Sequence, residues 1–177
     1  MNEKKIEEGV LLILEGMNID PSDRNYINTP HRYAKLLKEI FSPKETSFPT
    51  FDDNYDGLIV ARKYTMYTFC PHHLLPVKLI IDMAYWPGAE VYGLSKLGRI
   101  ASNLNTRPLL QEAFTRELAE KLNAIPGCRG SAVVVRGEHG CMQIRGIRTG
   151  GDVITCSFKG ILEEPLHQSN FLKLIGG

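Results

Sequence analysis

The chain has 177 residues, of which 43% are hydrophobic, so it is long enough for one domain with a packed core. Its 21 basic and 20 acidic residues leave a formal net charge of +1. This balance provides no long-range attraction for nucleic acid or an anionic membrane, and neither is expected as a partner. No apolar run approaches the roughly 20 residues that cross a bilayer, and the charged start MNEKKIEEGVLLILEGM differs from a signal peptide. We therefore expect a cytoplasmic protein with reduced thiols, in which Cys128 and Cys156 belong to the core.

Two amphipathic helices are predicted at the N-terminus. The first is indicated by apolar residues at helical spacing, namely Ile6, Val10, Leu14 and Met17. The second lies in NTPHRYAKLLKEIF, where we expect Thr29 as the N-cap and Pro30 at the first helical position. Its predicted buried stripe consists of Tyr33, Leu37, Ile40 and Phe41. The polar, proline-containing stretch SPKETSFPTFDDNYDG that follows is typical of a linker.

The rest of the chain predicts strands and helices in the order ββααββ, followed by a short helix. Residues 58–69 and 77–86 are rich in β-branched and aromatic residues and predict two strands. GLSKLGRIASNLN predicts a helix, and RPLLQEAFTRELAEKLN a second one that starts at Pro108. SAVVVRGEHGCMQI and DVITCSFKGIL predict two more strands, and residues 166–175 a closing helix.

This order predicts an α+β fold, in which an antiparallel four-stranded sheet carries its helices on one face. We expect residues 1–56 to form an N-terminal helical segment and linker, and residues 57–177 to form the catalytic domain, as one structural unit overall. The other face and the edges of the sheet would then be uncovered, and oligomerisation is one way to bury such edges.

Potential metal ligands are concentrated in two short segments. FCPHHLLPV places Cys70, His72 and His73 at a bend between two predicted strands. EHGCM places His139 and Cys141 two residues apart in a predicted strand, so both side chains would point to the same face. If that strand lies near the bend, Cys141 can join Cys70 and one histidine, leaving a fourth position for water as in catalytic zinc sites. Spacing alone leaves a catalytic and a structural zinc site equally open.

Five segments of the chain, in order, resemble the GTP cyclohydrolase I family of the tunnelling-fold (T-fold) superfamily. TPHRYAKLLKEIF is similar to the family's TPHR-x-AK helix, CPHHLLP to its C-E-H-H motif and VYGLSKLGRI to its GLSK-x-x-R stretch. RPLLQEAFTRELAEKL is similar to the segment with the guanine-binding Gln-Glu pair, and EHGCMQIRGIR to the H-x-C-x-x-x-RG motif. Pro71 stands where the family usually has glutamate, and the N-terminal extension is short.

The resemblance implies a role for individual residues. The zinc ligands would be Cys70, His73 and Cys141, and the proton-handling histidines would be His72 and His139. Guanine would be recognised by Glu112 with help from Gln111, and the ribose would lie near Ser95. Without the resemblance, a solvated helix position for Glu112 and an N-cap for Ser95 are the alternatives.

The resemblance also implies that five cations hold a triphosphate: Arg32, Lys35, Lys96, Arg99 and Arg145. Arg32 and Lys35 are at positions i and i+3 of one predicted helix, and Lys96 and Arg99 are at the same spacing on another, so each pair shares a face. A triphosphate carries about four negative charges near neutral pH and is well matched by paired cations and arginine forks. Solvated helix faces show the same spacing constantly, so without the resemblance a solvated face is the favoured interpretation of these cations.

The activity that the resemblance implies is the zinc-dependent opening of the purine ring of GTP, which gives 7,8-dihydroneopterin triphosphate and formate for tetrahydrofolate and other pterin biosynthesis. It further implies a homodecamer whose sheets join into barrels and whose sites lie between subunits. Two alternatives are another T-fold enzyme of the 7-deazaguanine nitrile reductase type and a non-catalytic zinc-containing homologue. The first would need a nucleophilic cysteine and a nicotinamide cofactor instead of a metal.

Overall fold

The computed structural model describes residues 1–42 and 49–176. It divides the chain into two compact units, Met1–Ser42 and Pro43–Gly177. The predicted division between residues 56 and 57 stays a prediction, and part of the predicted linker, residues 43–48, lies outside the described residues. None of the helices in the described ranges combines the length and the apolar character that a membrane span requires.

The first unit is a pair of helices, α1 (Glu3–Gly16) and α2 (Thr29–Phe41). The Asn2 side chain caps α1 by accepting a hydrogen bond from the backbone N–H of Lys5 at 3.1 Å. Leu14 is buried as predicted, whereas Met17 lies beyond the last turn and is 63% exposed. The predicted N-cap Thr29 is wrong, because α2 begins at that residue and no side chain caps it.

The second unit is built on a four-stranded antiparallel sheet. A two-stranded ribbon of β1 (Thr50–Asp52) and β4 (Glu90–Tyr92), which the sequence did not predict, stands apart from it. The main sheet has the order β2–β3–β5–β6, with β2 at Ile59–Phe69, β3 at Pro76–Trp86, β5 at Gly130–His139 and β6 at Val153–Gly160. The predicted ββααββ arrangement is therefore confirmed.

In the described part of this unit, four helices and one 3₁₀ turn accompany the sheet. They are α3 (Leu94–Leu104), α4 (Gln111–Asn123), α5 (Gly140–Gln143), the 3₁₀ turn Ile161–Glu163 and α6 (Pro165–Ile175). The predicted start of α4 at Pro108 is wrong, because Leu110 has extended backbone angles (φ −70°, ψ 136°). Gln111 and Glu112 therefore occupy the first turn of α4, where backbone N–H groups have no partner inside the helix.

Both faces of the sheet carry apolar packing. Alternate residues of β3, such as Leu79, Ile81 and Met83, are fully buried against α3 and α4. Ala84, on the opposite face, belongs to a second cluster with Phe171 of α6. The expectation of an uncovered second face thus holds for only part of that face, because α6 packs on the rest.

Candidate metal centre

The β2–β3 hairpin fixes the position of Cys70. Cys70 directly follows β2, and its backbone N–H donates to the carbonyl of Leu75 at 2.9 Å, which closes the loop. Leu74 adopts the left-handed region with φ 51° and donates its N–H back to the Cys70 carbonyl at 3.0 Å. The backbone N–H of His73 lies 3.3 Å from the Cys70 sulfur and donates to it. The loop therefore presents the sulfur and the following imidazole together.

Strand pairing brings Cys141 to the same end of the sheet. Val77, near the start of β3, pairs with His139, the last residue of β5. The predicted continuation of this strand through Cys141 is wrong, because the chain turns into α5 at Gly140. The turn passes so close to β3 that a Cβ at Gly140 would lie 2.9 Å from the Pro76 carbonyl oxygen. Cys141 thus reaches the hairpin loop through a helical turn instead of a shared strand face.

Cys70, His73 and Cys141 form a group that can hold a metal ion. One ligand atom from each of the three lies within 4.8 Å of the others. The distance between Cys70 Sγ and His73 Nδ1 is 3.7 Å. Zinc bound to sulfur at about 2.3 Å and to nitrogen at about 2.0 Å with a tetrahedral angle would separate those atoms by roughly 3.5 Å. The donor set and its spacing fit a zinc ion with three protein ligands.

The two thiols of this group differ in acidity. Burial alone would raise the pKa of Cys70, but hydrogen bonds from the backbone of Leu75 and His73 and from the Cys141 thiol bring it below its ordinary value. Burial raises the pKa of Cys141, and the hydrogen bond and charge of Cys70 raise it further. Two thiols this close oppose each other's ionisation, and a bound cation would displace the proton that the pair retains.

Arg145 completes this corner of the molecule. Its Nη1 lies 2.6 Å from His73 Nε2 and can donate to it while His73 carries its hydrogen at Nδ1; a metal bound at Nδ1 would move that hydrogen to Nε2 and end this hydrogen bond. That contact turns the other ring nitrogen, Nδ1, towards the Cys70 sulfur. His72 is exposed, and its ring centroid is 6.3 Å from that of His73. His72 therefore stands beside the ligand group without belonging to it.

His139 lies at the end of β5, close to the first turn of α4. It is half-buried, and its Nε2 lies 2.8 Å from Gln111 Oε1. Burial lowers the pKa of the His139 imidazole, while the negative charge of Glu112 opposes that shift. The ring also lines a small cavity of about 10 Å³, together with Thr68 and Gln111, which is room for a single water molecule.

Comparisons with known proteins agree with this geometry. The sequence model of the family described as GTP cyclohydrolase I matches residues 6–176. The chain belongs to the GTP cyclohydrolase I family. It is 36% identical over 182 aligned residues to GTP cyclohydrolase 1 of Clostridium perfringens, an alignment that covers 99% of this chain and 98% of the relative. It is likewise 36% identical over 170 residues to GTP cyclohydrolase 1 of Bacillus cytotoxicus, covering 92% and 90%.

Two solved structures are more distantly similar. The apo form of the archaeosine synthase QueF-Like matches with a TM-score of 0.44 and 18% identity, over 56% of this chain and 92% of the other. Dihydroneopterin aldolase from Burkholderia thailendensis bound to guanine matches with a TM-score of 0.39 and 14% identity, over 58% and 91%. Likenesses this weak carry no argument about function.

The remaining residues predicted from the family motifs lie on helices. Ser95 is exposed in the first turn of α3 and is not its N-cap, because the helix already begins at Leu94. Lys96 is half-buried and Arg99 exposed on the same helix. In the first compact unit, Arg32 and Lys35 are both exposed on α2.

Gly137, which leaves space for the contact between Gln111 and His139, was not identified from the sequence. A Cβ at Gly137 would collide with Gln111 Oε1, and it would lie 2.9 Å from Gln111 Cδ and 3.0 Å from His139 Nε2. The glycine therefore makes room for the contact between the glutamine and the histidine. Only its place in VVVRGEHGC, two residues before His139, could have drawn attention to it.

Proposed function

We propose that this protein is a zinc-dependent GTP cyclohydrolase that opens the purine ring of GTP and yields formate and 7,8-dihydroneopterin triphosphate. The observation that carries the proposal is the Cys70, His73 and Cys141 group in a chain of this family. Its product would enter tetrahydrofolate or other pterin biosynthesis. Thiol ligands need a reducing compartment, which fits a cytoplasmic location and the four free cysteines.

Zinc is the metal that suits this donor set best. Two thiolates and one imidazole are soft and borderline ligands, which favour zinc over magnesium or calcium. Three protein ligands are also the number found in catalytic zinc sites, where a fourth position is open. When bound, Zn²⁺ would supply Lewis-acid activation of water near neutral pH.

The chain's own residues would handle protons and orient the purine. His72, exposed beside the ligand loop, and His139, half-buried at the end of β5, are the proposed proton-handling groups. An imidazole suits both donation and acceptance because its ordinary pKa lies close to neutral pH. Glu112 is exposed at the start of α4, and its carboxylate can accept two N–H groups from a guanine edge.

The triphosphate would be bound by cations from separate elements. Arg145 is exposed at the edge of the metal group, Lys96 and Arg99 share α3, and Arg32 and Lys35 share α2. We propose a homo-oligomer, by family a decamer with barrel-forming sheets, in which sites between subunits collect these groups. Strands β2 and β6 stand at the ends of the sheet order and offer edges for that assembly.

The direct test is to incubate zinc-loaded protein with GTP and to measure formate, together with a fluorescent pterin after oxidation. The informative variant is Cys141→Ser, and its matched control is Cys156→Ser, which changes a thiol outside the group. The predicted core position of Cys156 is wrong, because this residue is exposed. We expect Cys141→Ser to lose zinc and formate release while the control keeps both. Zinc-loaded wild-type protein that releases no formate would refute the proposed activity.

His72 is tested separately from the metal. We expect His72→Ala to retain zinc, because the residue is not part of the ligand group, and to slow ring opening by a factor on the order of 10² or more. Retained zinc with an unchanged rate of formate release would refute the assigned role.

A further inference from the structure

Gln111 is buried although it is the first residue of α4, and its amide is fully engaged within the chain. Its side-chain Nε2 donates to the carbonyl oxygens of Val135 at 3.1 Å and Val153 at 2.8 Å, and to Thr155 Oγ1 at 3.1 Å. An amide NH₂ has two hydrogens, so three acceptors use its entire donor capacity. The residue as a whole is 5% exposed. Little of Gln111 is therefore available to a substrate.

The same contacts fix which way the amide points. If oxygen and nitrogen were exchanged, Oε1 would face the two carbonyl oxygens of Val135 and Val153, and acceptors would oppose acceptors. Oε1 must then be the atom 2.8 Å from His139 Nε2. Because Oε1 can only accept, His139 Nε2 carries a hydrogen and donates it. In the neutral ring, the lone pair is consequently at Nδ1.

We propose that Gln111 is the positioning residue of His139, which it holds in one orientation and in the Nε2–H tautomer. This role replaces the guanine contact that the family resemblance implied for Gln111. It rests on the proposed function, in which His139 handles protons. A histidine that must use Nδ1 as its acceptor loses that ability when the ring turns or the tautomer changes.

The surroundings of Gln111 are arranged to keep it in place. Its acceptors come from both β5 and β6, where Val135 pairs with Thr155 and Gly137 pairs with Val153. Gly137 leaves the space that the amide fills. One turn further along α4, Thr115 Oγ1 donates to the Gln111 carbonyl at 2.8 Å and contacts Thr155 Oγ1 at 2.6 Å. The amide is thus held from two strands and its own helix.

The first measurement needs no enzymatic activity. Solid-state ¹⁵N NMR of histidine-labelled protein distinguishes the two neutral tautomers, and a His139→Gln sample assigns the His139 signal among the five histidines. We expect the Nε2–H tautomer in the wild-type protein. A predominant Nδ1–H tautomer would overturn the proposal even if the protein releases formate from GTP.

The second measurement uses Gln111→Met, which keeps a side chain of similar length without hydrogen bonds. Gln168→Met, the same change on α6, is the matched control. We expect Gln111→Met to lower kcat by roughly tenfold to a hundredfold while the KM for GTP stays within about twofold, and to shift His139 towards the other tautomer. A guanine contact would instead raise KM with kcat and the tautomer unchanged, which would overturn the proposal.

A double variant separates this proposal from the proposed function. If Gln111 acts through His139, Gln111→Met should cause no further loss of kcat in a His139→Ala background. An undiminished further loss would contradict the positioning role. If instead His139→Ala itself leaves the rate unchanged, the proposed proton-handling role of His139 fails, and the NMR measurement still decides whether Gln111 fixes the tautomer.

Discussion

The substitution Gly137→Ala adds one methyl group at the point where Gln111 meets His139. Gly137 has ordinary backbone angles, so the substitution does not strain the main chain. The added Cβ would overlap Gln111 Oε1, and the rigid strand cannot move away without breaking its pairing with Val153. We therefore expect the Gln111 side chain to be expelled from its buried position.

The expected cost follows from the bonds that Gln111 would lose. Its amide makes four hydrogen bonds, to Val135, Val153, Thr155 and His139. At roughly 1 kcal/mol net for each bond, and with two hydrogens shared among three acceptors, the free energy of unfolding should fall by about 2–4 kcal/mol. Overpacking a well-filled site typically costs about 1–3 kcal/mol, which agrees. The corresponding decrease in Tm is roughly 5–15 °C.

Urea unfolding followed by the fluorescence of Trp86 is the assay, because this single tryptophan ends β3 in the same sheet. Gly150→Ala is the matched control, because a Cβ there meets no atom within 4 Å, and it should change stability by less than about 0.5 kcal/mol. Formate release should slow in Gly137→Ala because His139 loses its partner. A Gly137→Ala protein with wild-type stability and activity would show that Gln111 keeps its place without the space that the glycine leaves.

Three further predictions address the metal group, the sheet and the first helix. The affinity for zinc, measured by calorimetry, should weaken as the pH falls from about 8 to 6, because the raised pKa of Cys141 lets protons compete with the metal for its sulfur. An affinity that does not change with pH would contradict this prediction. Phe171→Ala should lower the free energy of unfolding, followed by Trp86 fluorescence, by about 3–5 kcal/mol, because Phe171 is fully buried under the sheet. Its control, Leu172→Ala, changes a residue that is 46% exposed and should lower it by less than about 1 kcal/mol. Equal losses in the two variants would show that α6 does not cover that face. Gly9→Ala should increase helicity and stabilise α1 by about 0.5–1 kcal/mol, since its Cβ meets open space, and a loss of helicity by circular dichroism would contradict it.

The fold was predictable where local pattern determines structure. The β-branched and aromatic run of residues 58–69 corresponds to β2 at Ile59–Phe69, and the run of residues 77–86 to β3 at Pro76–Trp86. The ribbon of β1 and β4 was missed, because each strand has three residues and the pairing depends on a distant segment. Pro108 was a misleading start for α4, since a proline is compatible with extended backbone as well as with a first helical turn.

The candidate site was predictable in its composition and less so in its geometry. Cys70 and His73 are close in the sequence, so their proximity is a local property of one loop. The approach of Cys141 depends on the register of β3 and β5, which the sequence does not specify. The surroundings of Gln111 depend on a second register, that of β5 and β6, and on the space left at Gly137. A motif thus identifies which side chains belong together before it reveals what each one contacts.

The position of the metal group at one end of the β3–β5 pair has a mechanical consequence. A cation held by Cys70, His73 and Cys141 would cross-link points separated by about 70 residues of chain. Such a cross-link lowers the conformational entropy of the unfolded chain and so stabilises the folded state by about 4 kcal/mol. Chelation should therefore loosen the sheet unevenly. Hydrogen exchange should accelerate where Val77 pairs with His139, while the opposite end, where Trp86 pairs with Gly130, keeps its protection.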